Sequence, residues 1–360
     1  MNDFMRIMDL FLKIKSNNET NLFDNIPAEL LKDKSEIDKM TAYFYKKTYN
    51  VSPSVCLFPG CTEFAIESHS LQKALLKLIA DNTNHVIRIK ITADYKPNGT
   101  IKKQTERIGV NEASVFLGYC AKHDAEIFLP IEQDKIDVQN IEQNFLLLFR
   151  SVAREYYEAK KGYDNLHEII PELIKDYEEK DIRGPVFLSL LYLNYCEFTH
   201  IENIKSIIDY CYKNNLYNLF EFNHLQINKR LPILVNTFTA IQGMNNGKVF
   251  RRDIRKEMPL YLSMTILPND KSTDVYYAIL KEQKEELKPF LEYFHNSDRT
   301  VLESFISDTI LRNSDNFYVS PEFLDKIPEV KKREIIDYFY QTTINREYIT
   351  DTDINLFTYI

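Results

Sequence analysis

The segment Cys56-Leu-Phe-Pro-Gly-Cys61 places two thiols on either side of a Pro-Gly turn. A second pair of metal-ligand types, Cys120 and His123, stands at the predicted start of a helix. Pro and Gly allow a sharp backbone turn, and side chains three residues apart on a helix point the same way. Three thiols and one imidazole complete a tetrahedral zinc shell. We therefore predict that Cys56, Cys61, Cys120 and His123 bind a structural Zn²⁺ ion; the alternative is that the cysteines are small buried apolar residues.

The composition of the 360-residue chain is that of a globular protein, with 44% hydrophobic and 27% charged residues. The length exceeds what one hydrophobic core usually serves, so two or more domains are expected. The chain has only 8 glycines and lacks the G-x-G-x-x-G and P-loop motifs, which argues against a nucleotide-binding α/β fold. A formal net charge of -8 means that any contact with a nucleic acid requires a local basic patch.

Cysteine usage and apolar patterning indicate the cellular compartment. The 5 cysteines are an odd number in a long chain, and no signal-peptide pattern is visible. This usage favours metal-binding thiols in a reducing cytoplasm over a secreted disulfide framework. The longest apolar runs, such as residues 145–149, are too short to span a membrane. A cytoplasmic protein without a membrane partner is therefore expected.

Turn signals and apolar periodicity predict an α+β fold. Two alternating runs flank Pro97-Asn98-Gly99, which is typical of a β-hairpin turn. Three β-branched or aromatic runs after residue 230 predict a small antiparallel sheet in a mainly helical body. Those runs are Leu231–Gln242, Glu257–Pro268 and Thr273–Leu280. The predicted regions are N-terminal helices at 1–50, a zinc domain at 51–135, a helical region at 136–230 and an α+β region at 231–360.

One isolated histidine, His69, stands between the two ligand pairs. Three interpretations of this residue are open. It could replace a member of the zinc shell, it could be a buried and hydrogen-bonded core residue, or it could be a general base. The residues around it include Glu67, Ser68 and Gln72.

The order of these elements, a knuckle, then a hairpin, then a helix with the second ligand pair, is that of a treble-clef zinc module. Three segments carry a wider resemblance: Cys56-Leu-Phe-Pro-Gly-Cys61, Ala65-Ile-Glu-Ser-His-Ser-Leu-Gln72 and Phe116-Leu-Gly-Tyr-Cys120-Ala-Lys-His-Asp124-Ala-Glu-Ile-Phe128. They resemble segments of a family of uncharacterised bacterial proteins with an HNH-like treble clef, and the resemblance extends over most of the chain.

The resemblance implies a metal-dependent endonuclease or a nucleic-acid-binding protein in bacterial anti-phage defence. In HNH-type nucleases a histidine activates water, and a nearby divalent cation neutralises charge on the phosphate. By this resemblance His69 is the general base, and Asp124, together with Glu67, holds a catalytic Mg²⁺ or Mn²⁺. Ser68 stands where HNH-type nucleases usually have an Asp. A non-enzymatic alternative is a module in which zinc only stabilises the fold and the helical body binds a protein partner or a second copy.

A basic hairpin follows His85 and supplies the predicted contact with DNA or RNA. Its cations are Arg88, Lys90, Lys102, Lys103 and Arg107. Cations on a ribbon can bind a phosphate backbone. The alternative is a solvated ribbon whose charges discourage pairing between sheet edges.

Overall fold

The computed structural model describes residues 54–93, 101–133, 136–175, 183–244, 246–344, 349–350 and 353–360. The predicted helices at 1–50 and the predicted Pro97-Asn98-Gly99 turn lie outside these residues.

The described residues form helices and strands in alternating groups along the chain. In order they are β1 Glu67–His69, α1 Lys73–Lys77, β2 His85–Ala93, β3 Ile101–Gly109, β4 Val115–Leu117, α2 Ala121–Glu132, α3 Ile141–Lys175, α4 Arg183–Asn214, β5 Phe220–Ile227, β6 Ile233–Ala240, β7 Tyr261–Pro268, β8 Thr273–Leu280, α5 Lys284–Asn296, α6 Arg299–Asn313, β9 Phe317–Val319, α7 Pro321–Lys326 and α8 Glu329–Phe339. Short helical turns occur at Tyr217–Leu219, Lys281–Gln283, Tyr340–Ile344 and Leu356–Tyr359.

Within the described residues, seven strands form one antiparallel sheet in the order β3-β2-β9-β6-β7-β8-β5, and β1 pairs with β4 in a separate two-stranded sheet. The predicted α+β class is therefore confirmed. The large sheet is wider than the sequence suggested, because β2 and β3 from the predicted zinc region join it. They do so through β9, where Ile87 of β2 pairs with Val319.

The two faces of the large sheet pack against different helices because side chains alternate along each strand. On β7, Met264 and Ile266 belong to an apolar core that also contains Phe290 of α5 and Phe305 of α6. The opposite face also has buried polar side chains, and Ser263 of β7 hydrogen-bonds Ser151 of α3 at 3.0 Å. The first part of α3 thus covers one face of the sheet, and α5 and α6 cover the other.

The described residues fall into two compact units. The larger one contains residues 54–91, 103–133, 136–157 and the described part of 203–360, and the smaller one contains 92–93, 101–102, 158–175 and 183–202. In the smaller unit Tyr163 of α3 stacks on Phe198 of α4, with ring centroids 4.7 Å apart.

Two parts of the predicted helical region at 136–230 differ from expectation. The sequence predicts separate helices at 187–196 and 201–213, but α4 runs unbroken through both, and Asp164, a predicted helix start, lies inside α3. Gly162 lies inside α3, where a single glycine costs only about 1 kcal/mol, and Pro185 lies in the first turn of α4, where proline is tolerated. The second difference is β5, which the sequence analysis included in the helical region.

Candidate metal centre and adjacent polar site

The first ligand pair lies on a tight knuckle. The N–H of Cys56 donates to the Glu63 carbonyl at 2.9 Å, and the N–H of Cys61 donates to the Phe58 carbonyl at 3.0 Å. Gly60, between the two cysteines, has a φ of 85°, a left-handed conformation that favours glycine. The Pro-Gly sequence therefore forms the turn that brings the two thiols to one side.

The knuckle is bonded to the strand that leads to the second ligand pair. Leu57 donates its N–H to the Gly118 carbonyl at 2.8 Å, and Ile66 donates its N–H to the Tyr119 carbonyl at 2.7 Å. A Cβ atom on Gly118 would lie 2.4 Å from the ring of Phe116. Glycine is needed at this position because the chain passes so close to that ring.

The four predicted ligand residues lie together. One ligand atom from each of Cys56, Cys61, Cys120 and His123 falls within 4.8 Å of the other three. The His123 Nδ1 atom lies 3.3 Å from Cys120 Sγ and 3.5 Å from Cys56 Sγ, and the Sγ atoms of Cys61 and Cys120 are 3.9 Å apart. Ideal Zn–S and Zn–N bonds in a tetrahedron give edges of about 3.8 Å between sulfurs and about 3.6 Å between sulfur and nitrogen. The cluster could therefore hold a metal ion such as zinc.

The two buried thiols of this cluster have opposite electrostatic environments. Cys120 is the residue that precedes α2, and the backbone N–H of His123 lowers the pKa of its thiol. Burial raises the pKa of the Cys56 thiol to about 11. A bound metal ion would favour the thiolate at both positions. The His123 ring is held by Phe58, which stacks on it with ring centroids 4.1 Å apart.

A buried ion pair supports the knuckle from α4. The Lys205 ammonium donates to the Leu57 carbonyl at 3.2 Å and to both carboxylate oxygens of Asp209 at 2.6 Å. The Cys56 thiolate also acts electrostatically on this lysine. Lys205 was not predicted as a site residue. In the sequence it is only a lysine four residues before an aspartate on a helix, which is a common surface pattern. A positive charge here offsets part of the negative charge of a shell with three thiolates.

His69 is not one of the four clustered ligands. It ends β1, which pairs with β4 through His69 and Val115. Its Nδ1 lies 3.0 Å from the Ala113 carbonyl oxygen and 3.4 Å from Ser114 Oγ. A carbonyl can only accept, so Nδ1 carries a proton, and in the neutral ring the lone pair is then on Nε2. Among the described residues Nε2 has no hydrogen-bond partner, which leaves it available as a base.

Asp124 lies near this histidine, on the first turn of α2. The buried Ser68 hydroxyl hydrogen-bonds its carboxylate, and His69 acts on it electrostatically. Burial raises the pKa of Asp124. The hydrogen bond from Ser68 and the charge of Arg150 lower it, but by less, so the pKa stays above its ordinary value. Glu67 is exposed and precedes the buried Ser68 on β1, so its side chain points to the opposite face of the strand. The structure brings Ser68 and Asp124 together and does not bring Glu67 to them.

A buried arginine, Arg150, which was not predicted as a site residue, acts electrostatically on Asp124. The buried Arg150 of α3 donates to Glu132 at 2.5 Å, and its guanidinium lies 4.1 Å from the centre of the Phe128 ring. Its Nε atom and the Tyr119 hydroxyl are buried without a hydrogen-bond partner among the described residues. The positive charge of Arg150 lowers the pKa of Asp124, against the effect of burial, which raises it.

Most of the predicted nucleic-acid contacts are already paired with carboxylates. Arg88 and Lys90 both bind Glu106. Burial would raise the pKa of Glu106, but these two cations outweigh it and lower the pKa. Arg107 pairs with Asp81, and Lys103 pairs with Asp337 at 2.8 Å. Lys102 is exposed. The hairpin surface is therefore less positive than its sequence suggests.

No known family model matches the chain, and the searches against curated proteins and solved structures give no match either. Among the described residues, no helix is both long enough and apolar enough to cross a membrane.

Proposed function

We propose that the knuckle, β1, β4 and α2 form a treble-clef-like zinc module within the predicted zinc domain at 51–135, and that the protein is an HNH-like, metal-dependent nuclease. The observation that carries the proposal is the state of His69. Its Nδ1 lies 3.0 Å from a backbone carbonyl oxygen, and its charge acts on Asp124, the acidic residue in the first turn of α2. The order knuckle, β1, β4 and α2 supports the treble-clef assignment.

In this proposal the chain's own groups position and deprotonate a water molecule. His69 Nε2 accepts the proton as the water oxygen attacks a phosphodiester phosphorus. The bond from phosphorus to the leaving ester oxygen breaks, and that oxygen takes a proton from solvent. Asp124 and the Ser68 hydroxyl offer oxygen ligands, which suit Mg²⁺ or Mn²⁺ because such ions are bound by few protein ligands plus substrate phosphates. A bound divalent cation would neutralise the charge that develops on the phosphate. Arg150 favours the ionised form of Asp124 that such a cation needs.

The catalytic part is tested by plasmid nicking with Mg²⁺ or Mn²⁺. We expect His69→Ala to lose about 100-fold or more of the cleavage rate, which is the usual contribution of a general base. His85→Ala is the matched control, because His85 hydrogen-bonds only within its own turn, to Thr83. Equal rates for wild type and His69→Ala would remove His69 from the mechanism.

The metal part is tested by zinc analysis of the purified protein. We expect one zinc per chain in the wild type and its loss in Cys56→Ser. Cys211→Ser is the matched control, since Cys211 is also a buried cysteine and is not part of the cluster. A wild-type protein that contains no zinc after purification without chelators would refute the metal site.

A second candidate function is a zinc-stabilised module that binds a protein or a second copy of itself. It is favoured by the exposed apolar side chains of Val55, Phe64 and Ile66 on the knuckle, of which Phe64 is 68% exposed. Large exposed apolar groups side by side often mark interaction sites. Absence of nuclease activity, together with self-association that Phe64→Ser abolishes in sedimentation experiments, would favour this alternative over the nuclease.

A further inference from the structure

Ser114 adopts a backbone conformation that is rare for its residue type. Its φ is 61°, in the left-handed region. Of the other described residues with positive φ, two are asparagines and two are glycines, the residue types that tolerate this region. A serine is held there only when its surroundings determine its conformation.

The surroundings of Ser114 use each of its polar atoms. Its N–H donates to the Tyr318 hydroxyl at 2.6 Å, and its carbonyl accepts from the N–H of Ser70 at 2.9 Å. Its hydroxyl donates to the Leu71 carbonyl at 3.0 Å and accepts from the Leu71 N–H at 3.3 Å. The residue is only 6% exposed, so losing any one of these bonds would leave a buried polar group unpaired.

The conformation of Ser114 decides where the preceding carbonyl points. Ala113, whose N–H is bonded to the Gly109 carbonyl at 2.9 Å, presents its own carbonyl oxygen to His69 Nδ1. The left-handed residue that follows sets the direction of this peptide group as the chain enters β4. A more extended Ser114 would turn the carbonyl away from the histidine, and Nδ1 would lose its acceptor.

Tyr318 connects this arrangement to the large sheet. It is the central residue of β9 and pairs with Leu234 of β6. The neighbouring Asn316 donates to Ser70 Oγ at 2.9 Å and to the Asn236 carbonyl at 2.6 Å. Ser114 and its hydrogen-bond partner Ser70 are therefore each bonded to a residue that the sheet holds in place.

We propose that Ser114 and Tyr318 are positioning residues that hold His69 with Nδ1 protonated and Nε2 free. Their use in catalysis rests on the proposed role of His69 as a general base. The two residues do not touch the reacting atoms. They act through the Ala113 carbonyl, and Tyr318 makes the geometry of the site depend on the sheet.

The proposal is tested first by nitrogen NMR of protein labelled at its histidine rings, with His69 assigned by comparison with His69→Gln. We expect the wild-type ring at neutral pH to be in the Nδ1–H form. Tyr318→Phe, which removes one oxygen atom, and Ser114→Val, whose branched side chain disfavours positive φ, should give a mixture of both tautomers. Ser114→Gly should keep the wild-type form, because glycine tolerates the conformation.

Tyr276→Phe is the control for loss of a buried tyrosine hydroxyl elsewhere in the sheet, and it should leave the His69 signals unchanged. Circular dichroism and zinc content confirm that each variant is folded. If folded Tyr318→Phe and Ser114→Val both keep the pure Nδ1–H form, the positioning role is wrong.

Nuclease kinetics then separate the positioning role from the function it serves. Tyr318→Phe should lower kcat by about tenfold with little change in KM, a part of the roughly 100- to 10 000-fold that a general base contributes. If Tyr318→Phe changes the His69 tautomer but the wild-type protein has no nuclease activity, the positioning role is supported and the nuclease is refuted. An active enzyme whose kcat and tautomer are both unaffected by Tyr318→Phe would refute the positioning role alone.

Discussion

Replacing Lys205 with methionine breaks the buried ion pair with Asp209 beside the knuckle. The loss of stability that we expect depends on how deeply the two charges are buried. The Lys205 and Asp209 side chains are 5% and 13% exposed. Burial lowers the pKa of Lys205 and raises the pKa of Asp209, so both groups are shifted towards their neutral forms. The desolvation of the two charges therefore outweighs their attraction. Such a pair adds little net stability, but removing one partner is costly because the other charge stays buried.

The expected magnitude is about 3–5 kcal/mol for Lys205→Met, the usual cost of an uncompensated buried charge. The double variant Lys205→Met/Asp209→Leu removes both charges and should recover most of this loss. About 1 kcal/mol should remain, because the Leu57 carbonyl loses its hydrogen bond in both variants.

Lys160 and Asp164 provide a matched control within the same protein. This pair has the same four-residue helical spacing and the same 2.6 Å distance between charged atoms, but its side chains are 44% and 52% exposed. Lys160→Met should therefore cost only about 0.3–0.5 kcal/mol.

Thermal unfolding at pH 7 in the presence of zinc measures these differences. For a domain of this size 1 kcal/mol corresponds to about 2–4 °C in Tm. Lys205→Met should lower Tm by roughly 6 °C or more, and Lys160→Met by no more than about 2 °C. If the two single variants lower Tm equally, burial does not control the strength of this pair, and the reasoning is wrong. If the double variant is as unstable as Lys205→Met, the loss does not come from an unpaired Asp209.

Three further outcomes are expected. Gly118→Ala should lower stability by about 1–3 kcal/mol because its Cβ would overlap the Phe116 ring, and it should reduce zinc content, whereas Gly109→Ala, which has open space around its Cβ, should do neither. Burial would raise the pKa of Asp274, but hydrogen bonds from Asn269, Gln226 and His224 outweigh it and lower the pKa. The ionised Asp274 therefore contributes its full stability above its unfolded pKa of about 3.9, and this contribution is lost as pH falls through the lower folded pKa. Asp274→Asn should lower Tm at pH 7 and make Tm less dependent on pH in acid. An unchanged acid dependence of Tm would contradict this. A zinc chelator should lower Tm by roughly 8–16 °C, since free zinc at about 1,000 times its Kd adds about 4 kcal/mol; an unchanged Tm would show that no metal supports the fold.

The sequence predicted the ligand cluster because each pair is local. Pro59 restricts the backbone between Cys56 and Cys61, and Gly60 permits the left-handed conformation that the turn needs. Cys120 and His123 lie on one helical turn. The runs after residue 230 were predicted as strands for a similar reason, since β-branched residues bounded by turn residues restrict the backbone. They correspond to β6, β7 and β8.

The parts that the sequence did not predict depend on contacts between distant residues. Strand β5 lies at the edge of the described sheet, beside β8. Its sequence Phe-Glu-Phe-Asn-His-Leu-Gln-Ile puts polar and apolar residues on both faces, so its pattern lacks a continuous apolar face. The partner of His69 is a carbonyl 44 residues away, and a backbone carbonyl leaves no signal in the sequence. The left-handed Ser114 has no signal either, because serine does not prefer that conformation.

The position of β2 and β3 explains why the metal cluster and the large sheet should behave as one cooperative unit. Both strands lie in the chain between β1 and β4, which carry the candidate site, yet they pair within the sheet through β9. The chain therefore leaves the metal region, adds two strands to the sheet and returns to Cys120. Loss of a bound metal would free the ends of β1 and β4 at Glu67 and Leu117. The opposite ends of this ladder are bonded to the sheet, where Ser70 bonds Asn316 beside β9 and Ser114 bonds Tyr318 of β9. Because this ladder joins the metal cluster to the sheet, loss of zinc should lower the stability of the sheet as well as that of the knuckle.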